Sequence, residues 1–257
     1  MDPGIGHVHG LGMDPSDGAV YIAAHNGLFQ IRSKNRALRV ADRVQDYMGF
    51  TVAGPGTFLA SGHPSAADIP PGGSPHLGLI RSADAGVSWT PVSLAGQADF
   101  HALQLAGTSL YGYDSQTSRV YRSTDTGRTW TPGAQLQVID LAADPAQPDR
   151  VYATTPDNLL VSNNAGNTFQ AAPPSPPLVF LESPGAGQLI GVVASGEVRT
   201  SRNAGRTWQA LGNVPDSVSA FTALDSRRLL AATDDGAVYQ SRDGGKTFTP
   251  VYQSAKG

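Results

Sequence analysis

All six histidines of this 257-residue chain, His7, His9, His25, His63, His76 and His101, fall within its first 101 residues. Imidazole is the commonest protein ligand for zinc, copper and iron and the usual acid-base group near neutral pH, so this asymmetry points to one site. Alignment on leucine and Asp-Pro landmarks puts His7-Val8-His9-Gly10-Leu11, Asp46-Tyr47-Met48-Gly49-Phe50 and Asp99-Phe100-His101-Ala102-Leu103 in one register, at the start of three equivalent strands. Two rows result. His7, Asp46 and Asp99 form one; two residues along, and so on the same side of each strand, His9, Met48 and His101 form the other. Ala24-His25-Asn26-Gly27 and His76-Leu77-Gly78 align on their glycines as joining loops of the same units, and His63 opens an insertion from Pro64 to Pro75.

A chain with no cysteine has no thiolate ligand or nucleophile, which leaves these imidazoles, two carboxylates and one thioether. We expect His7, His9 and His101 to share one transition-metal ion, with Met48, Asp46 or Asp99 completing or supporting its sphere and His25, His63 and His76 lining the approach. Imidazole with thioether favours copper, and imidazole with carboxylate suits zinc or iron equally; copper is preferred. Each residue also has a plain structural reading. A single histidine at a strand end is commonly a hydrogen-bonded turn residue, Met48 fits a core as well as a ligand sphere, and Asp46 and Asp99 could orient ring N–H groups, ligate, or act as general bases.

The elements that must position these residues come from a repeat. Ser82-Ala83-Asp84-Ala85-Gly86-Val87-Ser88-Trp89 returns as Ser123-Thr124-Asp125-Thr126-Gly127-Arg128-Thr129-Trp130, then around Asn164 and Asn203, and finally as Ser241-Arg242-Asp243-Gly244-Gly245-Lys246-Thr247-Phe248. The Asp or Asn positions are 41, 39, 39 and 40 residues apart, the length of one four-stranded propeller blade. Ser33-Lys34-Asn35-Arg36-Ala37-Leu38 reads as a degenerate sixth copy. The chain is therefore expected to be all-β, a single six-bladed β-propeller over 1–257 with blades at about 5–42, 43–93, 96–133, 135–172, 176–212 and 215–252. The fourth unit illustrates the template, with strands near 136–143, 150–154, 157–162 and 167–171.

This frame resembles the Asp-box, or bacterial neuraminidase repeat, of sialidases, sortilin-type receptors and photosystem II assembly-factor propellers. The pattern is also similar to that of exported bacterial propellers loosely called glycosyl hydrolase-like. The resemblance covers roughly residues 30–250. It implies that each box is a hairpin between the third and fourth strands of a blade, with the Asp or Asn capping the turn. It also implies that the boxes lie on the side opposite to the strand starts and joining loops, so all six histidines gather at one mouth of the central channel. Asp84, Asp125 and Asp243 are then scaffold.

Composition agrees with an all-β chain. Gly and Pro together make about a fifth of the residues, against 3 Lys and 2 Glu, so the strong helix formers of exposed helices are scarce. The formal charge of −3 offers no basic footprint for nucleic acid. No apolar run approaches the roughly 18 residues needed to span a bilayer. A monomer binding a metal ion, and with it a small molecule or glycan, is expected. Lack of cysteine does not fix a compartment; we expect an extracytoplasmic protein, secreted, periplasmic or lipoprotein-anchored with its leader removed.

Two other functions fit the same fold. One is a glycoside hydrolase-like enzyme using the channel-mouth carboxylates Asp46 and Asp99 as acid and base. Against sialidase chemistry, Arg81, Arg122, Arg199 and Arg242 fall next to the boxes, on the wrong side to clamp a sugar carboxylate. The other is a non-catalytic assembly or interaction module, which has no need of clustered histidines. Units four to six offer Gln137, Ile139, Phe180, Leu181, Ser217 and Ser219 near the equivalent positions, so half of the mouth lacks ligands. Asp114, Asp140, Glu182, Asp234 and Asp235 are further acids near that face, most of them expected in turns.

Overall fold

The computed structural model describes residues 4–69 and 71–253, leaving outside it Pro70 of the insertion and the two ends of the 1–257 span. The strands form six antiparallel sheets of four, each built from consecutive strands, and the sheets stand in a ring as the blades of a six-bladed β-propeller. The innermost strands are Val8–Met13, Asp46–Gly54, Phe100–Ala106, Asp140–Ala143, Leu178–Gly185 and Val218–Ala223. Among the described residues, helix is confined to two single 3₁₀ turns, Val40–Asp42 and Ala66–Asp68. In blade 4 the strands are Asp140–Ala143, Val151–Thr154, Leu159–Ser162 and Gln170–Ala171. The first and last are shorter than the sequence pattern suggests.

Strand alternation explains how the ring holds together. Successive side chains point to opposite faces of a sheet, and both faces of every blade meet a neighbour. On Val20–Ala24, the second strand of blade 1, Val20, Ile22 and Ala24 pack against Ala220, Leu230 and Val238 of blade 6. Tyr21 and Ala23, pointing the other way, pack against Phe50, Phe58 and Ile80 of blade 2. Six such apolar clusters fill the six junctions between blades. Among the described residues, no strand is shared between the first and last blades. Their junction closes by packing, aided by the Gln253 N–H donating to the Lys34 carbonyl at 2.7 Å.

Each repeated frame between third and fourth strands is a knot of side-chain hydrogen bonds. Around Asp125, the Ser123 hydroxyl donates to Oδ1 at 2.8 Å and accepts the Gly127 N–H at 2.8 Å. The Thr129 N–H donates to Oδ1 at 2.9 Å, and its hydroxyl to Oδ2 at 2.7 Å. Asn203 forms the same knot with its amide, Nδ2 donating to the Thr207 hydroxyl at 2.9 Å. Thr126 and Gly127 both take positive φ, 62° and 86°. A Cβ on Gly127 would come within 2.0 Å of Leu79 in the preceding blade, so the glycine is required by conformation and by packing. Lys34-Asn35, expected as a sixth copy, is instead a plain two-residue turn joining Gly27–Ser33 to Arg36–Arg39. It has neither the glycine nor the small residue after the Asn that the knot uses.

Two outcomes follow from the knots. Gly127→Val is expected to lower unfolding free energy by more than about 1 kcal/mol, through strain at positive φ and the clash with Leu79; an unchanged urea midpoint would contradict it. The donated hydrogen bonds hold the carboxyls of Asp84 and Asp243 down at about 2, and Asp125 lower still. Since the folded protein releases these protons more readily than the unfolded chain, their stabilisation is present above about pH 4 and lost as the pH falls towards 2. Urea midpoints measured across that window should fall less steeply for Asp125→Asn than for the parent.

Candidate metal centre

Five of the six innermost strands carry an irregularity near their start. In blades 1 and 3 the residue skipped by the ladder is His9, between Val8 and Gly10, and His101, between Phe100 and Ala102. In blade 2 the pairing jumps from Tyr47 to Phe50, across Met48 and Gly49. Blades 5 and 6 skip Val179 and Ser219 in the same way. A bulge re-aims the side chain it carries, and these put His9, Met48 and His101 on the wall of a channel cavity of about 450 Å³. The row read from sequence register thus lines one space.

The other row does different work. Asp46, the first residue of its strand, lies opposite His63, the last residue of Thr57–His63. That approach depends on Gly62, with φ of 143°, where a Cβ would come within 2.2 Å of the Asp46 carbonyl oxygen. Asp46 Oδ1 stands 3.4 Å from His9 Nε2, and its Oδ2 stands 3.0 Å from His25 Nδ1 and 3.5 Å from His63 Nδ1. Two blades therefore converge on one carboxylate. His25 is placed by its own N–H, which donates to the His7 carbonyl at 2.9 Å. The His7 ring packs edge-on against His9, with centroids 4.9 Å apart.

Asp99 organises the second half. Its Oδ2 accepts the Ser115 hydroxyl at 3.0 Å and meets His101 Nε2 at 2.9 Å and His63 Nε2 at 3.3 Å. Its backbone N–H donates to Asp114 Oδ1 at 2.8 Å, and Asp114 is itself held by the Thr117 N–H and hydroxyl. Asp114, the buried last residue of the strand Ser109–Asp114 rather than a turn residue, accordingly caps the turn that follows and holds Asp99 in place. The rings of His63 and His76 are 5.6 Å apart.

Among the described residues, two sets bring three ligand-capable atoms within 4.8 Å of one another: His9, His25 and Asp46, and His63, His76 and Asp99. The trio His7, His9 and His101 is not gathered into such a set; His7 stacks on one carboxylate's partner and His101 pairs with the other carboxylate. Register fixed which strands meet, but the choice of partner followed from the bulges and the strand end at His63. Four buried polar atoms in these sets have no hydrogen-bond partner: His9 Nε2, Asp46 Oδ1, His76 Nδ1 and Asp99 Oδ1. Native interiors seldom leave such atoms unsatisfied without a reason.

The electrostatics match. Burial raises the Asp46 carboxyl, but contact with His9 and the nearby His25 and His63 outweigh it, and the net shift is downward. For Asp99 burial is likewise overcome, by the His101 hydrogen bond, the His101 and His63 charges and the Ser115 hydroxyl, to about 2. Both carboxylates are ionised at neutral pH.

Across the channel the acids behave in the opposite way. Asp140 and Glu182 line the same cavity. Burial raises Asp140 to about 7, against hydrogen bonds from the Leu181 and Leu141 N–H groups. Burial, and then the charge of Asp140, raise Glu182 to about 8, while Gln104 Nε2 donates to Glu182 Oε2 at 3.2 Å. Phe180 and Ile139 join this wall, but Leu181 turns into the core between blades 4 and 5. Asp235 caps its own turn, accepting the Thr233 hydroxyl at 2.6 Å. Arg122 and Arg242 are engaged near the repeat hairpins, with Asp149 at 2.8 Å and Gln240 at 2.9 Å.

No family model and no curated protein matches the chain. Solved structures do match in fold. The GH74 enzyme of Niastella koreensis aligns with 95% of this chain and 37% of its own length, at 18% identity and a TM-score of 0.63. The GH74 xyloglucanase of Xanthomonas campestris aligns with 96% of this chain and 45% of its own, at 18% identity and a TM-score of 0.59. YCF48 bound to D1 peptide aligns with 97% of this chain and 82% of its own, at 16% identity and a TM-score of 0.57. The chain thus spans less than half the length of either GH74 structure. At such identities the similarity establishes a β-propeller shared with an enzyme class and a peptide-bound protein, and nothing about the chemistry of this site.

Proposed function

We propose that this protein is a metal-binding propeller that holds a transition-metal ion at the channel mouth between His9, His25 and Asp46, for binding, delivery or redox chemistry. The observation that carries this is the position of the Asp46 carboxylate, 3.0–3.4 Å from imidazole nitrogens of His9 and His25. Metal–ligand bonds of about 2.0–2.1 Å set neighbouring ligand atoms about 3.3 Å apart in a tetrahedron, so the spacing is that of groups sharing an ion. His9 Nε2 and Asp46 Oδ1 are buried and face each other at 3.4 Å without a well-formed hydrogen bond, which supports the same reading. Copper is placed ahead of zinc or iron, because nitrogen and oxygen donors bind Cu(II) most tightly of the common divalent ions and the Met48 thioether lines the adjoining cavity. The five repeat hairpins support grouping the chain with Asp-box propellers, where an exported setting is the proposal.

Elemental analysis should find a transition metal in stoichiometric amount, copper first. His9→Ala with His25→Ala is expected to weaken binding at least about 100-fold, since loss of outer partners alone costs 10- to 100-fold. The fold should survive, as neither residue belongs to a junction core. Protons compete for the same ring nitrogens, so occupancy should decline on acidification. A metal-free protein indifferent to chelators, or a double variant of undiminished affinity, would remove the proposal.

Glycoside hydrolysis is the second reading, and one observation favours it in altered form. Asp46 and Asp99 are held ionised by histidines and lack the proton that the general acid must carry. Glu182 and Asp140, raised to about 8 and 7 inside the cavity, keep theirs near neutrality. Turnover of aryl glycosides that drops more than about 100-fold in Glu182→Gln would establish this reading, and no turnover by the parent protein would end it. Whatever the chemistry, these two groups retain protons to higher pH when folded than when unfolded. Their contribution to stability is complete below about pH 4 and is lost as the pH rises through 7 to 8. Chemical denaturation should show Glu182→Gln gaining stability relative to the parent across that range.

A further inference from the structure

Resting on that reading, we infer that the protein holds a second metal ion beside the first, and that the His63 imidazole joins them, one ring nitrogen facing each. Among the described residues, His63 is the single side chain that touches both carboxylates: Nδ1 lies 3.5 Å from Asp46 Oδ2, and Nε2 lies 3.3 Å from Asp99 Oδ2. It ends the strand that places it between the blade 2 and blade 3 strand starts, where Gly62 lets the backbones approach. On its Nε2 side, His63, His76 and Asp99 form the second ligand-capable set.

A protonated His63 clamped between two carboxylates would account for the oxygens it faces, but it leaves the rest of the set unexplained. Asp99 is 2% exposed, and its Oδ2 is already engaged by Ser115, His101 and His63. Its Oδ1 and the Nδ1 of His76 are nonetheless buried with no hydrogen-bond partner. A cation held within the His63, His76 and Asp99 set would supply partners for these atoms, and it is bounded by Asp99, itself fixed by Asp114 and Ser115. With one cation on each side, the His63 ring gives up its remaining N–H proton to solvent and directs one nitrogen lone pair to each ion. The ligands of both ions come from blades 1 to 3, which explains why the histidines stop at residue 101.

Titration of chelator-stripped protein with Cu(II), followed by electron paramagnetic resonance and by proton release, tests the assignment. Two ions per chain are expected. The signal should grow through the first equivalent, then fall short of two independent spins on the second as a half-field transition appears. H76A should bind one ion in place of two, while retaining the first. H63A should abolish the coupling, with circular dichroism and the urea midpoint reporting whether it folds; if it does not, the parent spectrum and H76A still decide. Binding of no ion defeats the single-ion reading and this one together. Saturation at one ion leaves the first site standing and overturns the second. Two ions with independent signals in the parent overturn the bridge.

Discussion

A four-stranded sheet with apolar side chains on both faces cannot stand alone in water, and six such sheets solve the problem by covering one another in a circle. Val20, Ile22 and Ala24 face one neighbour and Tyr21 and Ala23 the other, so each blade is needed on both sides. Burial of apolar surface at roughly 25 cal/mol per Å² drives this arrangement. Because blade 1 meets blade 6 without exchanging a strand, the ring closes only if all six junctions pack at once. Everything at the channel mouth depends on that closure. Only a closed ring sets the starts of Val8–Met13, Asp46–Gly54 and Phe100–Ala106 side by side, and brings the loop with His25 and the strand end at His63 to the same face.

Once closed, the ring confronts a second problem, the placement of carboxylates where water is scarce. The two halves of the channel answer it differently. Asp46 and Asp99 are surrounded by imidazoles and stay ionised, whereas burial dominates at Asp140 and Glu182, which retain their protons to about pH 7 and 8. One space of about 450 Å³ thus has His9, Met48 and His101 on one wall, with Asp46 and Asp99 behind the two imidazoles, and Asp140 and Glu182 with Phe180 and Phe221 on another. Solved structures of similar fold include a GH74 enzyme and a peptide-bound protein, so the frame by itself assigns no function.

The sequence by itself determined the six-bladed architecture, because blade length is written as a period of 39–41 residues and each copy carries the Ser, Asp or Asn, and Gly that its turn requires. It also determined that His9, Met48 and His101 share a register and line one cavity, since alternation along a strand is a local rule. The first unit shows the limit of pattern matching: Lys34-Asn35 occupies the place of a sixth box but turns in two residues. Tertiary structure alone decided which groups touch. The bulges at His9 and His101, the approach of His63 to Asp46 over Gly62, and the support of Asp99 by Asp114 are contacts between different segments, 17 residues apart for His63 and Asp46 and 15 for Asp99 and Asp114. Expected as a trio, His7, His9 and His101 take different neighbours: His9 and His101, each at a displacement of a single residue in ladder pairing, face Asp46 and Asp99, and His7 packs edge-on against His9. Such a displacement is set by how neighbouring blades press together, and a chain read one strand at a time contains no term for that pressure.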